Sequence, residues 1–121
     1  MSGKKNVRRK TPKKIKIGYS DFKLIPRSNH WGKRNKAFGE CAPDQGKIQF
    51  DSSQKRSELV NTIIHETLHG IVYMFDINFK SMRDEETVIR KMANGIHTVF
   101  RDNPHFVEWI MQNSNLTSED E

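Results

Sequence analysis

The chain has a single cysteine, Cys41, in 121 residues. That excludes an intrachain disulfide and a zinc site built from four thiolates, and it fits a reducing compartment. Long hydrophobic runs are also missing. Only 34% of residues are apolar and 30% are charged, and no stretch reaches the roughly 20 apolar residues that cross a bilayer. No apolar segment follows the basic N-terminus, so a secretory signal is not expected. The expected location is the cytoplasm, with no membrane partner. Acidic residues are scarce at one end. Residues 1–14 carry seven basic side chains (Lys4, Lys5, Arg8, Arg9, Lys10, Lys13 and Lys14) and no carboxylate. Residues 15–39 add six basic groups against Asp21, whereas residues 40–121 hold eight basic and fourteen acidic groups. The net charge of +6 is therefore N-terminal, and the rest of the chain is acidic.

What the chain does contain is His65-Glu66-Thr67-Leu68-His69, an H-E-x-x-H sequence. Residues four apart lie one turn apart on the same face of an α-helix. Both imidazoles can then reach one metal ion, and Glu66 can act as general base on a water at the ion's open side. The flanking residues suit a helix. Val60, Ile64, Leu68, Ile71 and Phe75 form an apolar stripe at helical spacing, widened by Leu59, Ile63 and Val72. The spacing predicts a central helix over 54–75, capped by Ser52 or Ser53. Gly70 either clears space beside a metal or permits close packing.

Other elements follow from alternation and punctuation. Strands are expected over 15–19, 22–25 (stopped by Pro26) and 46–51, with 37–41 as a short fourth candidate. In the third strand Ile48 and Phe50 point one way, Lys47 and Gln49 the other. Residues 27–45 otherwise read as a surface connection. A second helix is expected over 84–100, burying Val88, Ile89, Met92, Ala93, Ile96, Val99 and Phe100. Asp84, Glu85 and Glu86 complement the dipole at its start, and Gly95 suggests a close approach to the first helix. Asn103-Pro104 opens a third helix to about Gln112, burying Phe106, Val107, Trp109 and Ile110. The fold class is α+β: a small antiparallel or mixed sheet of about three strands, then three helices. The domain spans 15–113, between a disordered basic tail (1–14) and a disordered acidic tail (114–121).

A hydrolytic zinc site takes three protein ligands and leaves a place for water. A metzincin would have glycine at position 72 and histidine at 75; Val72 and Phe75 exclude that class. Glu85, Glu86, Asp84, Asp76, His97 and His105 remain as third ligands. Helical phase puts Glu85 nearer the middle of the second helix's buried face and Glu86 at its edge. Tyr73, His97 and His30 have chemistry suited to stabilising an oxyanion. Cys41 could ligate zinc or act as a redox lock, but it has no spacing relation to the motif.

Three blocks carry a family resemblance: Thr62 to Ile71 around the motif, Glu86 to Ile96, and Val99 to Pro104. Over about residues 15–112 the chain resembles the small zincin-like metallopeptidases encoded by tailed bacteriophages, near the SprT-like and ImmA/IrrE-like groups. The resemblance implies a minimal, gluzincin-like zincin domain with one Zn2+, a peptide or protein substrate and a location in the host cytoplasm. It picks Glu86 over Glu85 as third ligand. The segment from Gly39-Glu40-Cys41 to Ile48-Gln49-Phe50 is similar to the family's glycine-acid segment and sheet-edge strand, which makes Lys47, Ile48, Gln49 and Phe50 the expected peptide-docking edge.

The rival reading is a nucleic-acid-associated protein with a structural or non-catalytic metal site. Its DNA contacts would come from Lys4, Lys5, Arg8, Arg9 and Lys10, which bind phosphates without sequence preference. That tail has no aromatic residue for stacking. Trp31 among Lys33, Arg34 and Lys36 is the one basic cluster with an aromatic ring.

Overall fold

The computed structural model describes residues 10–120. The basic residues Lys4, Lys5, Arg8 and Arg9 lie outside them; Lys10 is exposed and outside any element. The fold is α+β: a mixed sheet of four strands with four helices. β1 (Lys14–Ile17) and β2 (Ser20–Arg27) form an antiparallel hairpin. α1 (Asn29–Asn35) and β3 (Gly39–Ala42) follow. A 3₁₀ turn at Pro43–Gln45 leads into β4 (Lys47–Asp51). α2 (Arg56–Met74), α3 (Met82–Asp102) and α4 (Pro104–Asn113) complete the chain. Residues 114–120 make exposed turns. Among the described residues, no helix is long and apolar enough to cross a membrane.

The strand order is β1-β2-β4-β3, with β2 and β4 parallel and the other pairs antiparallel. Alternate residues of each strand face α2: Ile17, Phe22, Leu24, Ile48 and Phe50 are buried there with Leu59 of α2. Gly70 belongs to this packing. A Cβ on it would come within 2.7 Å of Ile17 Cδ1, so the glycine lets the helix settle on the sheet and does not serve a metal.

Several expectations are corrected. β2 runs through Pro26 to Arg27, where a stop was expected. The Leu24 amide donates toward the β1 side, to Lys13 O. The missing Pro26 N–H would point the same way, past the end of the β1 pairing, so no ladder bond is lost. Residues 29–35, expected as loop, form α1. It is too short for an apolar stripe, but Ser28 caps it by accepting from Trp31 N–H. Neither Ser52 nor Ser53 caps α2; Lys55 stands at its N-cap without a side-chain bond. The Ser53 hydroxyl donates instead to Asp51 at 2.6 Å. The α2 face against the sheet is Leu59, Ile63, Glu66 and Gly70, and the expected stripe members Val60 and Phe75 are exposed. On α3 only Ile89 and Ala93 are buried; Val88, Met92, Val99 and Phe100 are exposed. Phe106 and Trp109 are exposed too, because the main neighbour of α4 is the end of α3 and no second surface covers it. β4 is not an edge. It lies between β2 and β3, so Lys47, Ile48, Gln49 and Phe50 have no free side for a peptide. The edge strand on that side is β3.

Gly95 has no neighbour within 4 Å of a Cβ placed on it, so no close approach to α2 explains it. Glycine in mid-helix is about 1 kcal/mol less favourable than alanine. Gly95→Ala should therefore raise the unfolding free energy by about 0.5–1 kcal/mol in urea titration. Gly70→Ala should show no such gain, because the new methyl meets Ile17. Equal gains for the two would contradict this packing.

Candidate metal centre

α2 lies between the sheet and α3, and its two sides divide between these neighbours. Glu66 turns to the sheet and is 8% exposed. His65 and His69 sit on the flank toward α3, with ring centroids 5.0 Å apart. α3 begins at Ser81, whose hydroxyl accepts from Asp84 N–H, and this cap sets Glu85 and Glu86 in the first turns opposite the histidines.

The two glutamates have different places. Glu86 reaches both rings: its carboxylate is 3.0 Å from His65 Nε2 and 2.9 Å from His69 Nε2. Donor atoms of His65, His69 and Glu86 all lie within 4.8 Å of one another. Two imidazole nitrogens and a carboxylate oxygen, converging from two helices, form a set that can hold a metal ion. Glu85 stands behind His69, with Oε2 2.7 Å from Nδ1. A carboxylate there accepts from Nδ1–H and so selects the tautomer whose Nε2 carries the lone pair, the usual role of an outer carboxylate on a metal-binding histidine. The Glu85-or-Glu86 alternative thus resolves into two tasks. Periodicity had put both near the buried face; which nitrogen each meets depends on how α3 crosses α2.

The electrostatics are those of crowded carboxylates. Burial pushes the Glu66 carboxyl up to about 7; His69 opposes the rise, while Glu86 and Glu40 add to it. Burial works against charge on His69, but hydrogen bonds to Glu85 and Glu86 outweigh it and hold its pKa above the ordinary value. Burial likewise would raise Glu86, yet its bonds and attraction to His69 and His65 bring it below the usual range. Gly39 of β3 seals Glu66 from above: a Cβ there would lie 2.6 Å from Thr62 Cγ2 and 3.1 Å from Glu66 Cγ.

A cleft of about 1190 Å³ opens over these groups. One wall is residues 37–41 with Pro43, the other is the first half of α3. Of the expected oxyanion groups only Tyr73 lines it. His97 lies 3.5 Å from Asn61 instead, and His30 is exposed on α1. Asp76 lines the cleft outside the donor set. Asp84 is exposed at the α3 cap and His105 is exposed beside Glu108; neither joins the cluster. Cys41 lines the cleft, half-buried, its thiol pushed up to about 12 first by burial and then by Glu66, Glu85 and Glu40. A thiol that resists ionisation is a poor metal ligand. The sequence reading overlooked Arg90, one turn after Glu86, and the Asn61–Asn94 pair, whose side chains bond at 3.0 Å beside the cleft. The i+4 spacing from Glu86 was the available signal for Arg90.

A raised carboxyl pKa means that the folded protein holds a proton that the unfolded chain releases. In metal-free protein, stability from this group is complete below about pH 4.5 and falls as pH rises toward 7. Glu66→Gln should therefore stabilise the metal-free protein at pH 8 by about 1–3 kcal/mol and leave it unchanged near pH 4. Chemical denaturation at the two pH values measures this; a gain of the same size at both would contradict it. Comparison of the chain with models of known protein families, with curated proteins and with solved structures finds no match.

Proposed function

We propose that the protein is a zinc-dependent metallopeptidase. The observation that carries the reading is the convergence of His65, His69 and Glu86, with Glu66 buried beside them between α2 and the edge strand β3. Two imidazoles and one carboxylate suit zinc. When bound, zinc would supply a Lewis acid that acidifies water and polarises a carbonyl.

The chain's own residues do the rest. Glu66, buried beside the donor set, accepts a proton from water and later returns it to the leaving amine. Glu85 keeps His69 in the metal-binding tautomer. Tyr73 and Arg90 are the donors on the cleft wall suited to a developing oxyanion. The peptide would lie along β3, Gly39–Ala42, whose outer side is the sheet edge beside Glu66. An extended substrate added there would bond to the β3 backbone and bring a carbonyl over the cleft.

Glu66→Gln should retain one zinc per chain yet lower the cleavage rate of labelled casein by about 10²–10⁴-fold, while His69→Ala should lose the zinc. Casein cleavage by Glu66→Gln at the parent rate would remove Glu66 as the base. Glu85→Gln keeps an acceptor on His69 Nδ1 but no charge. It should weaken zinc affinity about tenfold or more in competition with a chromogenic chelator. Unchanged affinity would show that Glu85 is a bystander.

A further inference from the structure

The sheet has a second face. Residues that alternate with the buried Ile17, Phe22, Leu24, Ile48 and Phe50 point away from α2. The pairing sets Lys14 opposite Lys23, and Lys23 opposite Lys47. Three lysines thus stand side by side across β1, β2 and β4 at the strand spacing of about 4.8 Å. Lys16 stands on the same face, opposite Asp21. Asp21 also meets Lys14 at 3.4 Å, both side chains more than half exposed; a surface pair of this kind contributes little. Among the described residues Lys16, Lys23 and Lys47 form no salt bridge.

Like charges opposed across neighbouring strands destabilise a sheet, so the row works against folding unless an anion meets it. Among the described residues no acid other than Asp21 forms an ion pair with these lysines. Asp51 is buried and taken by Ser53. Glu40 accepts from Gln49, which in turn accepts from Arg27. α1 stands on this same face, since a Cβ on Gly32 would lie 2.6 Å from the outward Asp51 carboxylate. Its last turn and cap add Lys33, Arg34 and Lys36.

We infer that this face binds the phosphate backbone of a nucleic acid. Lysine ammoniums are point charges that meet successive phosphates without base selection. A bilayer is the poorer fit: α1 rises from the face and would hold a plane away from the lysines, whereas a chain can pass beside it. The site lies across the sheet from His65, His69 and Glu86, so it stands independently of the peptidase reading.

The test measures fluorescence anisotropy of labelled oligothymidylate with the full chain across a potassium chloride series. The variant K14Q/K23Q/K47Q is set against K55Q/K80Q/K91Q, which removes equal charge from the N-cap of α2, the α2–α3 connection and α3. The face variant should bind at least about tenfold more weakly at low salt, with a log–log salt slope smaller by about two. The control should stay within about threefold of the parent. Equal losses would mean that only net charge matters and would overturn the site, as would parent-like binding by the face variant. Binding to phosphatidylserine vesicles that needs these lysines, with oligonucleotide binding that does not, would overturn it in favour of a lipid surface. Should the triple variant fail to fold, acetylation of the parent chain decides: the oligonucleotide should protect Lys14, Lys23 and Lys47, and labelling of all three as in the free protein would overturn the proposal.

Discussion

One carboxylate, that of Glu86, reaches two imidazoles one helical turn apart and ties α3 to α2. The apolar contribution to that helix pair is small, since Ile89 and Ala93 are the only fully buried residues of α3. The polar contacts at its N-terminal end therefore set where α3 lies. Glu85 adds a second contact to the same ring of His69 from the other nitrogen. His69 is held on both sides by anions, and this explains why its affinity for a proton rises despite burial. A proton on His69 thus lies between two carboxylates, and the same contacts keep the donor atoms of α2 and α3 together.

The same helix must also present Glu66 to the sheet. A carboxyl 8% exposed is costly to bury, and β3 covers this one closely because it approaches α2 through Gly39. The result is a group whose charge is suppressed until pH nears neutrality. That is the condition a general base needs: basic enough to take a proton from an acidified water, acidic enough to release it. The cost of ionising the group and the basicity that the proposed role would draw on have one cause, which is burial beside other carboxylates.

Much of this was legible in the sequence, and the failures have physical reasons. The H-E-x-x-H spacing needs only helical geometry, and α2, Arg56–Met74, lies within two residues of the expected bounds, although its buried face does not follow the expected stripe. The strands were found by alternation, which also revealed the inward set Ile48 and Phe50. The place of β4 was misjudged because strand order is a long-range property: nothing in residues 46–51 says that both sides will be paired. Polar burial was missed for a related reason. Asp51 is covered by α1 and Gln49 is enclosed by its bonds to Arg27 and Glu40, and α1 is held by a serine cap and one glycine contact without an apolar stripe. On α3 and α4 the error ran the other way. Apolar periodicity marks a face but does not supply its cover, and Phe106 and Trp109 remain exposed.

These failures bear on how the domain is stabilised. Its buried apolar set is short: Ile17, Phe22, Leu24, Ile48, Phe50 and Leu59 under the sheet, with Ile89 and Ala93 added by α3. The first six join the sheet to α2 in one cluster that includes no residue of α3. α3 then depends on a narrow apolar contact and on the charged contacts of Glu85 and Glu86. Anything that binds His65, His69 and Glu86 together adds its binding free energy to the docking of α3. Because Glu86 and Arg90 line the cleft from the first half of α3, that docking also completes the wall facing β3. Occupation of that donor set, the position of α3 and the shape of the cleft are therefore coupled in this fold, so a ligand that bridges the set would be felt in the other two.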